Sequence, residues 1–230
     1  MRVNPSTIAV VPARDEADRI AKTLAALQTI PGLAAMVVVD DGSRDETANI
    51  SRACGAEVLK AVKTGQSSGK GNALLTGLKR VWDIAPQAIL LADADLRETA
   101  SKLAALIEAL DDEHPATVAA FPPAKGGGFG LVKSLTRRAI ARRTGHDFAE
   151  PLSGQRAFLL PVLEALPGIA PGFGAEVGLT LDLCAADIVP REVPVPLSHR
   201  PTGKTIKGFT HRARQGHDIL RALNGNRHPW

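Results

Sequence analysis

Aromatic residues are scarce in this chain of 230 residues, which has no tyrosine, six phenylalanines and two tryptophans. Proteins that hold single-stranded nucleic acid usually stack its bases on aromatic rings, so this composition disfavours a nucleic acid partner. The core must be built mainly from alanine, valine, leucine and isoleucine. The formal net charge of +4 is modest and is compatible with ligands that carry phosphate.

Paired cysteines and long apolar runs are also missing. Cys54 and Cys184 form no Cys-x-x-Cys motif, so the sequence indicates neither a zinc site nor a dithiol redox centre, and we expect both thiols to be free. No apolar stretch approaches the roughly 20 residues that span a bilayer. Residues 1–6 also lack the apolar segment of a signal peptide. We therefore expect a cytoplasmic protein.

Short apolar runs alternate with segments of helical periodicity in the first half of the chain. The runs predicted to be buried strands are residues 8–12, 36–39, 58–59 and 88–91. This alternation predicts an α/β fold, in which a mostly parallel sheet has helices on both faces and right-handed crossovers. Ser43 and Glu46 have the Ser-x-x-Glu spacing of a capping box, which predicts a helix over residues 45–53.

Three of these strands end in polar segments, at residues 14–16, 40–43 and 93–95. The carboxyl ends of parallel strands lie at one edge of an open α/β sheet, and ligands bind in the crevice outside it. Asp93 and Asp95 would present hard oxygen atoms there, which suit Mg²⁺ or Mn²⁺ and the phosphates that such a metal carries. The alternative interpretation is a solvated turn after a buried strand.

Lys70 lies in a glycine-flanked segment, Ser68-Gly69-Lys70-Gly71-Asn72, that precedes a predicted helix. It resembles a lysine that contacts phosphate, but the segment does not match Gly-x-x-x-x-Gly-Lys-Ser/Thr, which disfavours a P-loop ATPase. No Gly-x-Gly-x-x-Gly follows the first strand, which disfavours a dinucleotide-binding fold. Asp41 could accept a hydrogen bond from a base N–H or a ribose hydroxyl, or it could only support the turn at Gly42.

The second half of the chain has weaker patterns. The predicted elements are helices over residues 101–110, 129–143 and 176–185, strands over 117–121 and 153–160, an extended run over 188–195 and a closing helix that ends near 223. The helix over 129–143 is basic, with Lys133, Arg137, Arg138, Arg142 and Arg143. Its basic residues could form a solvated face, contact an acceptor phosphate or dock on anionic lipid.

Five segments together resemble the family 2 glycosyltransferases, which have the GT-A fold. They are residues 11–16, 39–47, 69–74, 91–95 and 172–176. The last of them, with Pro151-Leu152-Ser153-Gly154 and His199-Arg200, is especially similar to the branch of glucosyl-3-phosphoglycerate synthases and mannosylglycerate-type synthases. The resemblance implies one domain over residues 1–230, with a nucleotide-sugar half over about 7–121 and an acceptor half over about 122–230.

The resemblance also implies a role for each matching position. Donor-binding residues would be Pro12, Ala13, Arg14, Asp15, Glu16, Asp41, Lys70, Asp93 and Ala94. The metal, Mg²⁺ or Mn²⁺, would be held by Asp93, Asp95 and His199, and the catalytic residues would be Asp95, Glu176 and His199. Acceptor-binding residues would be Lys125, Gly126, Gly127, Ser153 and Arg200. Glu176 would position the acceptor hydroxyl or stabilise positive charge on the sugar, unless it only stabilises a helix N-terminus.

The implied reaction transfers a hexose from a UDP- or GDP-sugar to a small, anionic or lipid-phosphate acceptor with retention of configuration. An inverting enzyme would instead need a carboxylate base, for which Glu176 is the first candidate. Two alternatives stay open: a sugar-1-phosphate nucleotidyltransferase, whose Gly-x-Gly-Thr-Arg loop is missing after the first strand, and a non-catalytic nucleotide-sugar-binding protein. A homodimer and at most peripheral membrane contact are further expectations.

Overall fold

The computed structural model describes residues 5–62, 69–121, 130–197 and 218–230. These residues form one seven-stranded sheet with the order β3-β2-β1-β4-β6-β5-β7. The strands are β1 (Thr7–Ala13), β2 (Leu33–Asp40), β3 (Glu57–Lys60), β4 (Ala88–Leu91), β5 (Ala116–Ala120), β6 (Arg156–Leu159) and β7 (Arg191–Pro194). The α-helices are α1 (Ile20–Gln28), α2 (Thr47–Ala53), α3 (Lys70–Ile84), α4 (Ala104–Glu108), α5 (Gly130–Thr144) and α6 (Ala175–Ala185).

The first four strands are parallel, as the alternation of strands and helices predicts. Successive residues of β1 face two separate hydrophobic cores, because the sheet is covered on both sides. Val11 packs in the core that includes Leu24 of α1, and Val10 packs in the core that includes Leu78 of α3. Burial on both faces explains the continuous apolar runs of these strands. The predicted α/β fold with a mostly parallel sheet is confirmed.

The antiparallel strand β6 lies between β4 and β5. Arg156 of β6 pairs with Leu91 of β4 on one side and with Val118 of β5 on the other. The residues just before β6 therefore lie beside the end of β4, where Asp93 follows. The sequence predicts a strand over 153–160, but its direction and its place within the sheet could not be inferred from spacing.

The predicted capping box is wrong. Ser43 makes no side-chain cap to α2, whose first residue is Thr47. The carboxylate of Asp45 accepts hydrogen bonds from the N–H and the hydroxyl of Thr47 at 3.0 and 2.5 Å. The hydroxyl of Ser43 instead accepts the N–H of Asp15 from the neighbouring loop at 3.0 Å. The Ser-x-x-Glu spacing is present, but the hydroxyl of Ser43 links two loops and does not cap α2.

Other boundaries differ by a few residues. The helix predicted over 101–110 is a 3₁₀ helix, Arg97–Leu103, followed by the short α4. Lys70 is the first residue of α3 rather than part of a preceding loop. Of the segment predicted to form the closing helix, the structure describes residues 218–223, and these are helical. Among the helices of the described ranges, none has the length and apolar character needed to cross a membrane.

Gly77 lies where α3 packs tightly on the sheet. A Cβ added there would overlap Cγ1 of Val10 and lie 3.0 Å from Cγ2 of Val39. Both neighbours are β-branched and have little rotamer freedom. We expect Gly77→Ala to lower the free energy of unfolding by about 1–3 kcal/mol, although alanine is favoured over glycine in a helix by about 1 kcal/mol. Urea unfolding would measure the change.

Val10→Ala provides the control for this prediction, because it removes the methyl group that the new Cβ would overlap. Gly77→Ala should then cost less stability in the Val10→Ala background than in the wild type. An equal cost in both backgrounds would show that the close packing of α3 on β1 is not the cause.

Candidate functional site

The carboxyl ends of β1, β2 and β4 lie at one edge of the sheet, and the first two are tied together there. The N–H of Asp41 donates to the carbonyl of Ala13 at 2.9 Å. Nη1 of Arg14 lies 3.7 Å from Oδ2 of Asp41. The other carboxylate oxygen of Asp41 accepts the N–H of Gly69, which precedes α3, at 3.2 Å. Asp41 thus connects the predicted nucleoside-binding loop with the segment that carries Lys70.

Two of the residues predicted to bind the donor also stabilise the loop itself. Asp15 has a φ of 53°, a left-handed conformation that aspartate tolerates better than most residues. Its Oδ1 accepts the N–H of Arg44 at 2.8 Å. Glu16 donates its N–H to Oγ1 of Thr47 at 2.8 Å, and its carboxylate pairs with Nε of Arg19 at 2.5 Å. The loops after β1 and β2 are therefore held by mutual hydrogen bonds.

At the centre of the site, the ammonium of Lys70 lies between two carboxylates. Nζ of Lys70 is 2.5 Å from Oδ1 of Asp93 and 2.7 Å from Oε1 of Glu176. Lys70 begins α3, Asp93 follows β4, and Glu176 lies in the first turn of α6. The fold therefore brings together three predicted site residues that are far apart in sequence.

The charges of this trio are strongly coupled. Burial, the largest single effect, lowers the pKa of Lys70, but the charges of Asp93 and Glu176 and the hydrogen bonds to them outweigh it, so the pKa lies above its usual value. Lys70 is therefore protonated at neutral pH. Because one ammonium faces two carboxylates, the ionised trio carries one net negative charge. Such a site can take a further cation.

Gly154 forms the wall beside Lys70. A Cβ added to Gly154 would overlap the Lys70 ammonium and lie 3.2 Å from Oδ1 of Asp93. Only glycine leaves room for this approach. A similar constraint holds at Gly71, where an added Cβ would overlap the carbonyl oxygen of Ala170. The first turn of α3 is thus packed closely against the segment that leads to α6.

Gln155 holds the second oxygen of Asp93 and was missed by the sequence analysis. Its Nε2 donates to Oδ2 of Asp93 at 2.5 Å, and the residue is 1% exposed. Ser153, a predicted acceptor-binding residue, is buried, and its hydroxyl donates to Oε1 of Gln155 at 3.4 Å. No motif signals Gln155, because its role depends on the antiparallel placement of β6 beside β4.

The turn that carries Asp95 is fixed by Thr23 of α1, which the sequence analysis also missed. Oγ1 of Thr23 donates to the carbonyl of Ala94 and accepts the N–H of Arg97, both at 2.8 Å. Asp95 lies half-buried near Arg19. The pKa of Arg19 is raised mainly by its hydrogen bond to Glu16, and the charge of Asp95 adds to this effect.

Arg156 is a buried cation that holds the main chain of Glu176 in place. Its Nη2 donates to the carbonyl of Glu176 at 3.0 Å and to Oγ1 of Thr180 at 2.9 Å. Its Nη1 has no hydrogen-bond partner among the described residues. Burial lowers the pKa of Arg156 to about 10, partly offset by the Glu176 carboxylate, so the guanidinium stays charged at neutral pH. This contact fixes the first turn of α6.

A complete metal site is not seen within the described ranges, where no three His, Cys, Asp or Glu side chains could together hold a metal ion. Asp93 and Asp95 are two of the three predicted ligands, and both lie in the segment that follows β4. The other predicted site residues that lie outside the described ranges are His199, Lys125, Gly126, Gly127 and Arg200. Their roles stay predictions.

The chain resembles several glycosyltransferases in sequence. The family model of Glycosyl transferase family 2 matches residues 8–159. Glycosyltransferase AglJ of Haloferax volcanii is 26% identical over 205 residues, which cover 86% of this chain and 65% of that protein. Glucosyl-3-phosphoglycerate synthase of Mycolicibacterium smegmatis is 28% identical over 194 residues, covering 75% and 62%. The chain thus spans less than two thirds of the length of these relatives.

The fold is also found in a solved structure, glucosyl-3-phosphoglycerate synthase from Mycobacterium tuberculosis in complex with Mn²⁺, uridine diphosphate and glucosyl-3-phosphoglycerate. The TM-score is 0.76 at 23% identity, and the match covers 98% of this chain and 87% of that chain. At this identity the match concerns the fold, and it agrees with the sheet and helices described above. Since the family model also spans more than half of the sequence, the chain belongs to glycosyl transferase family 2.

Proposed function

We propose that this protein is a metal-dependent glycosyltransferase that transfers a hexose from a UDP-sugar to an anionic acceptor with retention of configuration. The observation that carries the proposal is the Lys70 ammonium held between Asp93 and Glu176 at the carboxyl edge of the sheet, in a chain of family 2. The presence of uridine diphosphate and Mn²⁺ in the related mycobacterial enzyme supports the choice of donor and metal.

The donor diphosphate would lie at the start of α3, where Lys70 supplies a fixed positive charge. Asp41 would accept a hydrogen bond from the base or the ribose. The residues Pro12 to Glu16, at the end of β1 and in the loop that follows it, would enclose the nucleoside. The hydrogen bonds that join this loop to the one after β2 support the assignment, because a preformed pocket binds without first ordering its walls.

Asp95 and Asp93 would hold the metal, with His199 as the third ligand. The carboxylates of Asp93 and Asp95 supply hard oxygen ligands of the kind that Mg²⁺ and Mn²⁺ prefer, and the net negative charge around Lys70 fits a divalent cation. When bound, the ion supplies Lewis-acid neutralisation of the leaving diphosphate. Lys70 would share this task from the protein side by staying protonated throughout.

Retention is supported by the state of Glu176. Its carboxylate is paired with Lys70 at 2.7 Å, and the residue is only 7% exposed. A carboxylate held in this way is a poor candidate for the general base that an inverting enzyme needs. We infer that Glu176 orients Lys70 and stabilises positive charge on the sugar. The acceptor hydroxyl would form its bond to the anomeric carbon from the side of the leaving group, as the bond from that carbon to the diphosphate breaks and a diphosphate oxygen takes up the hydroxyl proton.

The acceptor is inferred from charge. Lys125 and Arg200 are predicted to bind it together with Gly126 and Gly127, and two cations suit a phosphate or carboxylate. The glucosyl-3-phosphoglycerate bound in the mycobacterial relative is consistent with an acceptor of this kind.

The function can be tested with UDP-glucose, GDP-mannose and UTP, each with and without Mn²⁺. Acceptors would include phosphoglyceric acid and a short polyprenyl phosphate, and NMR would report the configuration of the product. We expect Mn²⁺-dependent release of UDP from UDP-glucose and a retained glycosidic bond on the anionic acceptor. Pyrophosphate formed from UTP and a sugar-1-phosphate would identify a nucleotidyltransferase instead. Donor binding without turnover across the panel would identify a binding protein.

Asp95→Ala should reduce turnover on the order of 100-fold or more while the fold is retained. The carboxylate lies after the end of β4 and contributes little to either hydrophobic core. The measurements are kcat with Mn²⁺ and the Tm of both proteins. Asp112→Ala is the matched control, because Asp112 is exposed and lies near the opposite edge of the sheet. Unchanged turnover in Asp95→Ala would contradict the proposed metal site.

Lys70→Met should raise the KM for the sugar nucleotide about 10- to 100-fold, because a charge-assisted contact is worth roughly 1.5–3 kcal/mol. Methionine keeps the length of the side chain but removes its charge. Lys79→Met, an exposed position on the same helix, is the control and should leave KM unchanged. Equal KM values for Lys70→Met and the control would rule out a contact between Lys70 and the diphosphate.

A further inference from the structure

We propose that Gln155 is a positioning residue: it fixes the carboxylate of Asp93 and, through Asp93, the ammonium of Lys70. This inference rests on the proposed function, since it assigns a role in donor binding to a residue outside the motifs of the sequence. The claim concerns the orientation of Asp93 and requires no contact between Gln155 and any ligand.

The two oxygens of Asp93 are held by donors from different parts of the fold. Lys70 donates to Oδ1 from the start of α3, and Gln155 donates to Oδ2 from the residue before β6, each at 2.5 Å. A carboxylate held at one oxygen can still rotate about the Cβ–Cγ bond that joins it to the side chain. With both oxygens held, the plane of the carboxylate is fixed.

The amide of Gln155 can take only one orientation here. An ionised carboxylate accepts hydrogen bonds and donates none, so Nε2 must face Asp93 and Oε1 must face away. Oε1 then accepts the hydroxyl of Ser153 at 3.4 Å. The main chain of Gln155 is fixed as well, since its carbonyl accepts the N–H of Ala119 at 3.0 Å. Gln155 is therefore held from its backbone to its side-chain amide.

Burial makes Gln155 the anchor of this network. Asp93 and Lys70 are only partly buried, whereas Gln155 is buried and only 1% exposed. An ion pair that is only partly buried still requires both side chains to give up rotamer freedom. A buried amide that holds one partner in place reduces that cost. Gly154 leaves the space that the ammonium needs next to this amide.

Loss of the Gln155 amide would weaken the binding of the nucleotide diphosphate. Without the amide, Asp93 could turn away and Lys70 would be left with Glu176 alone, so the positive charge would shift from the place that the diphosphate needs. Removal of a residue that orients a ligand-binding group typically costs about 10- to 100-fold in affinity or activity. We expect a loss of that size in the affinity for UDP in the presence of Mn²⁺.

The test uses Gln155→Met, which keeps the length of an unbranched side chain and removes both hydrogen bonds. Isothermal titration with UDP and Mn²⁺ should show affinity weakened at least about 10-fold. Gln28→Met is the matched control: it removes an exposed amide that donates to the carbonyl of Cys54 at 2.8 Å, and it should not change UDP affinity. Gln155→Asn, which keeps the amide but is too short to reach Asp93, should reproduce the loss if Gln155→Met folds poorly.

A double-mutant cycle distinguishes positioning from a merely structural role. In an Asp93→Ala background, Gln155→Met should weaken UDP binding no further, because the carboxylate that it orients is gone. Additive losses would overturn the proposal, and so would wild-type UDP affinity in folded Gln155→Met. If the wild-type protein binds no nucleotide at all, the proposed function has failed instead. The same cycle measured by urea unfolding would then test the contact alone, and a coupling of zero would refute it.

Discussion

One ammonium shared by two carboxylates is the constraint on which the rest of the site depends. Charged groups that are largely removed from water are tolerated only when they are paired. Lys70, Asp93 and Glu176 belong to α3, the turn after β4 and α6, so these elements must approach within hydrogen-bond distance together. The close contact of Gly71 with the segment before α6 shows how little freedom that requirement leaves.

The position of Asp41 and Asp93 at one edge of the sheet could be predicted from the sequence, because each of them follows an apolar strand. The runs that end near Asp41 and Asp93 are buried on both faces, so period and composition reveal them, and parallel pairing brings their ends to one edge. Lys70 is indicated both by its glycine-flanked segment and by the resemblance to the family, whereas Glu176 is indicated only by that resemblance. Spacing alone gives no sign that residues separated by more than a hundred positions meet, because that contact is set by packing of the whole chain.

Gln155 and Thr23 could not be predicted from the sequence, and the physical reason is the same for both. Gln155 and Thr23 act through hydrogen bonds to neighbours in space, and each is an ordinary buried polar residue in its own segment. The failed capping box has the same origin, since Ser43 bonds to the adjacent loop instead of its own helix. A sequence pattern such as the capping box predicts hydrogen bonds within one element, whereas the loops of this site are stabilised mainly by hydrogen bonds between different elements.

The adjacency of Gln155 and Arg156 has a consequence for how this protein could change during evolution. Gln155, directly before β6, and Arg156, the first residue of β6, hold two members of the same trio: the amide of Gln155 donates to the side chain of Asp93, and the guanidinium of Arg156 donates to the main chain of Glu176. A shift of one residue in the pairing of β6 with β4 would turn these side chains to the other face of the sheet, so that neither hydrogen bond could form. Insertions before β6 are therefore tolerable only if they leave its alignment with β4 intact, so the register of this strand is inherited together with the geometry around Lys70.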